Sequence, residues 1–187
     1  MTALPPPDRD GISDADVAVV TEQLGRAPRG VFRVGARCVC GRPLVVTTEP
    51  RLPNGTPFPT TYYLTEPRFN SRIGTLEASG TMRAMQDRLA EDPDLAQGYR
   101  AAHEAYLADR AAIATACSME VPEIEGISAG GMPERVKCLH VLVAHALAAG
   151  PGVNPLGDEA LALLGWAADR CLCSGPWPWP DGRPRDE

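Results

Sequence analysis

Six cysteines supply the side chains with the clearest chemistry in this sequence of 187 residues. Two pairs have Cys-x-Cys spacing, Cys38 with Cys40 and Cys171 with Cys173. Two such pairs offer four thiolates for zinc or an iron–sulfur cluster, and Cys138 or a histidine can replace one of them. Neither pair has the usual Cys-x-x-Cys spacing of a zinc knuckle, so cysteines that bind nothing are the alternative. The candidate metal ligands are Cys38, Cys40 and Cys138.

A glycine-rich segment followed by basic residues is the second candidate site. Residues 128–133 read Ser-Ala-Gly-Gly-Met-Pro, and the apolar run after them predicts a buried helix over residues 134–149, with Pro133 suited to its first position. Small residues before a helix let backbone N–H groups approach an anion, although an ordinary loop-to-helix turn is the alternative. The predicted ligand-binding residues, including two from a polar strip on the preceding long helix, are Arg135, Lys137, His140, His145, His103 and Arg110.

The spacing within this predicted helix divides its polar residues between two faces. Cys138 and His145 are seven residues apart and share one face, whereas Lys137 and His140, three apart, share another. The histidines are candidates for proton transfer or orientation of a ligand, and hydrogen-bonded core histidines are the alternative. Lys137 is the single lysine beside 17 arginines, and its compact ammonium group suits an anion in a narrow pocket, although chance is the simpler explanation.

The elements that would position these residues are a small sheet and several helices. Alternating apolar and polar residues predict a hairpin over residues 31–48 and a third short strand over 62–64. Ser13 is a helix cap and Gly25 a helix end. Further helical patterns cover residues 72–89, as one broken or two short helices, 94–116, 134–149 and 158–171. The predicted fold class is α+β, a small antiparallel three-stranded sheet or hairpin packed with a predominantly helical remainder.

The length of the chain is that of about one domain. We predict a flexible N-terminal tail over residues 1–11, a single domain over 12–173, and an extended tail containing proline and tryptophan over 174–187. The start of the sequence lacks the basic and apolar regions of a signal peptide, and no apolar run is long enough for a membrane span. The prediction is a cytoplasmic protein with reduced cysteines.

Charge is unevenly distributed along the chain, whose formal net charge is -6. Residues 26–51 contain six arginines and one acid, whereas residues 66–125 contain six arginines and eleven acids. The two surfaces are expected to complement each other or to be solvated. Few aromatic residues and the negative total argue against nucleic acid, and no membrane partner is expected. A small anionic ligand and a protein partner are the partners that the sequence suggests.

Several motifs together resemble a family of proteins. They are residues 50–60, PRLPNGTPFPT; 62–65, YYLT; 128–140, SAGGMPERVKCLH; 143–145, VAH; and 154–158, NPLGD. In this order they resemble the bacterial domain-of-unknown-function family numbered 501, found mainly in actinobacteria, and the resemblance spans residues 13–164. It implies a cytosolic single-domain protein without an established activity. The family pattern often has a cysteine where this chain has Glu66, so the resemblance does not carry a metal ligand to that position.

Three functions are consistent with these observations, and none of them names a reaction. The first is a domain that binds a small anionic ligand at the helix after the Gly-Gly-Met-Pro segment, with Arg135 and Lys137 as the cations. The second is a structural zinc, iron–sulfur or thiol centre. The third is a non-catalytic adaptor in a cell-division or envelope context, which would hold its partner through the basic hairpin or through the tail with Trp177 and Trp179. The resemblance supplies the context, because the family's genes often lie near one for septum formation.

Overall fold

The computed structural model describes residues 11–175. In chain order its elements are α1 (Asp14–Leu24), β1 (Val31–Arg37), β2 (Pro43–Thr48), β3 (Tyr62–Leu64), α2 (Pro67–Ala78), α3 (Thr81–Glu91), α4 (Pro93–Ala116), a 3-10 turn (Pro122–Ile124), α5 (Leu139–Ala149) and α6 (Pro155–Leu163). The predicted α+β class is confirmed. Residues 1–10 and 176–187, which make up most of the two predicted tails, lie outside the described residues.

The three strands form one antiparallel sheet in the order β1-β2-β3. Val34 pairs with Val46 across the hairpin, and Val45 pairs with Leu64 on the other side of β2. All six residues of β2 are buried, as expected for the central strand. The predicted hairpin and third strand are both confirmed, and β1 additionally has irregular register against β2, which interrupts the strict alternation of its side chains.

The first four helices follow their sequence signals, except that α2 begins at Pro67, earlier than the predicted start at residue 72, because Glu66 caps it. The Ser13 side chain accepts a hydrogen bond from the Asp16 N–H, and Gly25 ends α1 in the left-handed conformation with a φ of 67°. The pattern over residues 72–89 is two helices, because Gly80, with a φ of 88°, separates α2 from α3. Asp92 caps the 24-residue helix α4 by accepting hydrogen bonds from two backbone N–H groups.

The predicted helix over residues 134–149 is wrong at its start, since α5 begins only at Leu139. The N–H of Arg135 donates to the Gly131 carbonyl and that of Lys137 to the Gly130 carbonyl, so the chain turns back on the glycines instead of extending a helix. Pro133 follows a cis peptide bond and opens no helix. The predicted sharing of faces by Lys137 and Cys138 with the two histidines therefore does not apply, because both residues precede the helix.

Helix α6 also differs from its predicted bounds of 158–171. Asn154 caps it by accepting from the Gly157 N–H at 2.9 Å, so the helix begins three residues earlier than predicted. It ends at Leu163, and the next glycine, Gly165, has a φ of 70°. The chain beyond carries no further helix up to residue 175. Cys171 and its neighbours thus belong to an irregular segment and not to a helix end.

The core lies between the sheet and helices α4, α5 and α6. Seven of the eleven residues of α5 are buried, which confirms that it is a core helix. Gly157 permits the close packing of α6 on α5, because a Cβ atom there would lie 2.3 Å from the Leu142 carbonyl oxygen. In the described part of the chain, no helix combines the length and the hydrophobicity that a membrane span needs.

Charges of the hairpin are paired with acids from other elements. Arg37 contacts Asp16 of α1 through both of its terminal nitrogens, at 2.7 and 2.8 Å. Arg51 pairs with Glu123, which belongs to the acidic part of the chain, at 2.9 Å. The basic hairpin is therefore partly neutralised within the chain, which agrees with the expectation of complementary surfaces.

Candidate functional site

The first cysteine pair lies in the turn that joins β1 to β2. The Cys38 N–H donates to the Arg42 carbonyl at 2.9 Å, and the Gly41 N–H donates back to the Cys38 carbonyl at 2.8 Å. Gly41 has a φ of 88°, a conformation that glycine adopts without strain. Cys38 is buried, Cys40 is exposed, and the tight turn holds both residues at the tip of the hairpin.

The second pair lies in the irregular segment after α6. Leu172 is buried in the core while Cys171 and Cys173 flank it, as expected where side chains alternate along an extended chain. Arg68 of α2 holds this segment by donating to the Leu172 carbonyl at 2.9 Å and to the Gly175 carbonyl at 2.6 Å. The backbone around the second pair is therefore fixed against the start of α2.

The two pairs meet, and the sulfur atoms of Cys38, Cys40, Cys171 and Cys173 all lie within 4.8 Å of one another. A tetrahedral zinc ion with Zn–S bonds of about 2.3 Å places its sulfurs about 3.8 Å apart. The four thiols therefore need to move little to surround one ion. In an iron–sulfur cluster the thiolates bind different irons on the outside of a multi-atom core, and some of them are then about 6 Å apart. The separation fits a single ion better than a cluster.

The four thiols have unequal acidity. Burial, together with the neighbouring sulfurs and the Glu66 carboxylate, raises the pKa of Cys173. Burial opposes ionisation of Cys171 as well, but hydrogen bonds from the Cys173 N–H, from the thiols of Cys40 and Cys38 and from the Ser174 hydroxyl lower its pKa to about 7. One thiol of this cluster therefore loses its proton easily, and another resists. Because the four thiols interact with one another, a bound cation would favour the loss of all four protons.

Glu66, the position where the resembling family often has a cysteine, borders this cluster. Its carboxylate caps α2 by accepting from the Phe69 N–H at 2.9 Å. Burial raises the pKa of Glu66, while hydrogen bonds from the backbone and the charges of Arg68 and Arg42 oppose that rise. Glu66 is thus occupied as a helix cap, and four sulfurs complete a tetrahedral set without it.

Cys138, the third predicted metal ligand, lies in a different cluster with Glu77 and His140. Its sulfur is 4.0 Å from His140 Nδ1, and that nitrogen is 3.2 Å from Glu77 Oε1. The same carboxylate oxygen accepts from the Leu139 N–H at 2.7 Å, and His140 Nε2 lies 3.2 Å from the Asn70 carbonyl oxygen. Helix α2 supplies Glu77 and Asn70, and the start of α5 supplies the rest.

The surroundings of His140 favour a positive charge. Its contact with Cys138 and the charge of Glu77 raise the pKa of His140 to about 9, against the opposing effect of burial. The side chains of His140 and Glu77 are 32% and 22% exposed, so solvent reaches this cluster. The cluster is a solvent-accessible group of three side chains, each of which offers one atom that can bind a metal ion.

His145 is in a separate and closed environment. It is fully buried, stacks on Tyr62 with ring centroids 5.1 Å apart, and meets Tyr106 edge-on at 5.3 Å. Its Nδ1 accepts from the Asn154 side-chain amide at 3.2 Å, and its Nε2 finds no hydrogen-bond partner among the described residues. Burial lowers the pKa of His145 to about 4, so the ring is neutral near neutral pH. One of its two ring nitrogens thus has a hydrogen-bond partner among the described residues, and His145 belongs to neither cysteine cluster.

The two predicted residues of the long helix hold loops in place. His103 Nδ1 is 2.9 Å from the Ser128 hydroxyl, which also donates to the Met132 carbonyl. Arg110 is buried and donates to the carbonyls of Ile124 and Ile127. These contacts tie α4 to the loop before α5, which is a structural role for both side chains.

The remaining two residues of the predicted anion site, Arg135 and Lys137, are exposed and precede α5. Lys137 is therefore not in a buried pocket. The backbone N–H at the start of α5, which an external anion would use, already donates to the Glu77 carboxylate. A carboxylate of the chain itself occupies this position, so the geometry gives the predicted anion site no added support.

With this geometry in place, comparison with known proteins gives one match. The family model "Protein of unknown function (DUF501)" matches residues 34–162. The chain belongs to this family. Neither the curated proteins nor the solved structures provide a match. The DUF501 match includes the first cysteine pair and the whole Glu77 cluster, but it ends before Cys171 and Cys173.

Glu77 and Asn70 were missed by the sequence analysis. Glu77 stands on a helix about 60 residues before its partners, and one carboxylate among many carries no signal of its own. The grouping of Cys138 with His140 was also missed, because the wrong helix start placed these residues on different faces. The meeting of the two Cys-x-Cys pairs did have a sequence signal, which is the spacing that the pairs share. The four thiolates were therefore named as one possible ligand set.

Proposed function

We propose that this protein binds one zinc ion through Cys38, Cys40, Cys171 and Cys173, and that the ion fastens the hairpin tip to the segment after α6. The observation that carries the proposal is the meeting of four sulfurs, within 4.8 Å of one another, from two segments far apart in sequence. One of these thiols is buried, two are half-buried and Cys40 is exposed, and their meeting requires specific packing of both segments.

Zinc is the ion that best fits this set of ligands. Four thiolates in tetrahedral arrangement are typical of structural zinc, whose site is closed because the protein supplies every ligand. The charge left by four thiolates and one Zn²⁺ is negative, and the guanidinium groups of Arg42 and Arg68 act on the neighbouring Glu66 and so stand close enough to offset it. No open position is left for a substrate, so the function of this ion is structural.

The proposed ion explains how the segment after α6 is held. Residues 171–175 form neither helix nor strand, and Arg68 holds them through hydrogen bonds to two of their carbonyl groups. A zinc ion adds two bonds to this segment and two to the hairpin tip. The ion therefore closes a loop that contains most of the domain. If the metal stays bound when the chain unfolds, the closed loop lowers the entropy of the unfolded chain.

The test is metal analysis of the full chain, purified without oxidation and then equilibrated with Zn²⁺. We expect zinc to be bound, and one equivalent to be lost in Cys38→Ser and in Cys173→Ser. Cys117→Ser is the matched control, since Cys117 belongs to neither cluster. With Co²⁺ in place of zinc, the spectrum should show tetrahedral thiolate ligation that both cluster variants lose. A folded wild-type chain that takes up no metal, with all four thiols free, would overturn the proposal.

The anion-binding and adaptor hypotheses stay predictions. The exposed cations Arg135 and Lys137 are compatible with an anionic ligand or an acidic partner, but no cavity or polar contact among the described residues singles out either. We therefore rank the metal centre first.

A further inference from the structure

We propose that Glu77, Cys138 and His140 bind a second zinc ion, with three protein ligands and a fourth position open to water. This site is separate from the four-thiol centre and does not rest on it. Its ligands come from the end of α2 and the start of α5, whereas the four-thiol centre joins the hairpin tip to the segment after α6.

The first argument is that three ligand atoms converge on one point. One ligand atom from each of Cys138, His140 and Glu77 lies within 4.8 Å of the others. The Cys138 sulfur is 4.0 Å from His140 Nδ1, which is 3.2 Å from Glu77 Oε1. Tetrahedral zinc with bonds of about 2.0–2.3 Å places such atoms about 3.3–3.6 Å apart. An ion at the centre would need only a small inward movement of the thiol.

The second argument comes from the two nitrogens of His140. In a nucleophilic triad, the thiol and the carboxylate contact opposite nitrogens of the ring, so that one orients it while the other exchanges a proton. Here the thiol and the carboxylate both face Nδ1, and Nε2 is turned to the Asn70 carbonyl. A single Nδ1–H cannot serve both neighbours well. A cation satisfies all three atoms at once, so the arrangement favours metal binding over a Cys-His nucleophile.

The third argument is the support behind these ligands. A histidine that binds a metal through one nitrogen usually donates the N–H of the other to a carbonyl or carboxylate, which fixes the ring. The contact of His140 Nε2 with the Asn70 carbonyl, at 3.2 Å, has this form. Glu77 is held differently, because the Leu139 N–H donates at 2.7 Å to Oε1, the same oxygen that faces His140. Two of the three ligands are thus oriented by backbone groups, as in a preorganised site.

The two proposed sites differ in their coordination. Three protein ligands and partial exposure leave one position for water, which zinc makes more acidic and which a small anion can replace. Glu66 lies beside the four-thiol centre and directly before α2, whereas Glu77 lies near the end of α2. Eleven residues separate them, which is about 16 Å along the helix axis. A substitution that removes one ion therefore leaves all ligands of the other ion in place.

The experiment is a titration of the full, reduced chain with Zn²⁺ and, in parallel, with Co²⁺. We expect two ions per chain in the wild type and one in Glu77→Gln and His140→Gln. Both variants should keep the four-thiolate cobalt spectrum. Glu77→Gln keeps an oxygen for the Leu139 N–H, and its melting temperature shows whether the chain is folded. Cys173→Ser should lose the other ion and retain the mixed site, so failure of one proposal is separate from failure of the other.

Azide is the probe for the open position. In cobalt-loaded wild type, and in Cys173→Ser, azide should change the spectrum of the mixed-ligand ion, whereas in His140→Gln it should change nothing. A folded wild type whose only ion gives the four-thiolate spectrum and is retained in His140→Gln, or folded variants that still bind two ions, would overturn the second site. A second ion whose spectrum does not respond to azide would overturn the open fourth position.

Discussion

The hairpin tip and the start of α5 each bring metal-binding side chains together, but in different ways. At the hairpin tip, four sulfurs from two distant segments meet, and the protein supplies a complete tetrahedral set. At the start of α5, three chemically different side chains meet beside a helix end, and solvent reaches them. If the proposed ions bind, the first closes the fold around a metal, whereas the second is open to solvent.

This difference teaches what each cluster depends on. The cluster at α5 is built on two helices that contact each other and both contribute to the hydrophobic core, and it lies wholly within the segment that the DUF501 model matches. The four-thiol cluster needs the segment after α6, which lies beyond that match and has no secondary structure of its own. Metal removal should therefore disturb the fold at the hairpin tip and leave the fold at α5 almost unchanged.

The largest expected effect is the loss of stability when the four-thiol ion is removed. Because the ion binds the folded chain, free zinc held 1,000-fold above its dissociation constant should add about 4 kcal/mol to the free energy of unfolding. Urea unfolding in zinc buffer and in chelator measures the difference. In Cys171→Ser combined with Cys173→Ser, the zinc dependence should fall to the part that the mixed site of Glu77, Cys138 and His140 contributes. An equal dependence in wild type and double variant would contradict the closed centre.

The next effect comes from His145, which limits the pH range in which the clusters can be compared. Its folded pKa of about 4 is below the ordinary value of about 6.5, so between these values the unfolded chain binds a proton that the folded chain does not. The contribution of His145 to the free energy of unfolding should be present in full above pH 6.5. It should decrease by about 3 kcal/mol as the pH is lowered to 4.

Urea unfolding of the metal-free chain across this range tests the prediction for His145. His145→Gln should show a shallower fall between pH 6.5 and 4 than the wild type, whatever its stability at neutral pH. Identical slopes in the two proteins would show that His145 does not titrate as the structure indicates. The metal comparisons are therefore best made above pH 7, where His145 is neutral in both the folded and the unfolded chain.

A smaller effect should follow from loosening the support of the four-thiol centre. Arg68→Ala removes the two hydrogen bonds that hold the carbonyls of Leu172 and Gly175. Loss of such support around a metal site typically weakens metal binding by about 10–100-fold. Competition with a zinc chelator measures the change. Arg88→Ala, which removes an exposed ion pair with Glu159, is the control and should bind zinc as the wild type does.

The sequence predicted the sheet and most helices because their signals are local. Ser13, Gly25 and Gly80 mark helix ends wherever the chain places them, and the alternation along the hairpin needs no knowledge of its partners. The start of α5 was not predictable in this way. Its first N–H is capped by Glu77 from another helix, and a side chain from so far away leaves no mark in the local pattern.

The same reasoning divides the candidate sites. The four-thiol set could be predicted as an alternative because both pairs share a spacing, although only the fold shows that they meet. The mixed cluster could not, since its three ligands share neither type nor spacing. Arg110 and His103 were predicted to bind a ligand because they belong to a polar strip on one face of the long helix. In the structure this face holds the loop before α5.

The smallest expected effect is that of Cys138→Ser on the metal-free chain. Cys138 is half-buried and its sulfur makes a long contact of 4.0 Å with His140, so replacing it should change the free energy of unfolding by less than about 1 kcal/mol. Cys117→Ser, a change of the same kind outside both clusters, should behave alike in urea unfolding. The two variants should differ only when metal is added, because Cys138→Ser alone loses a ligand. A large loss of stability in metal-free Cys138→Ser would mean that the thiol holds the start of α5 in place, and the contrast with the hairpin tip would then fail.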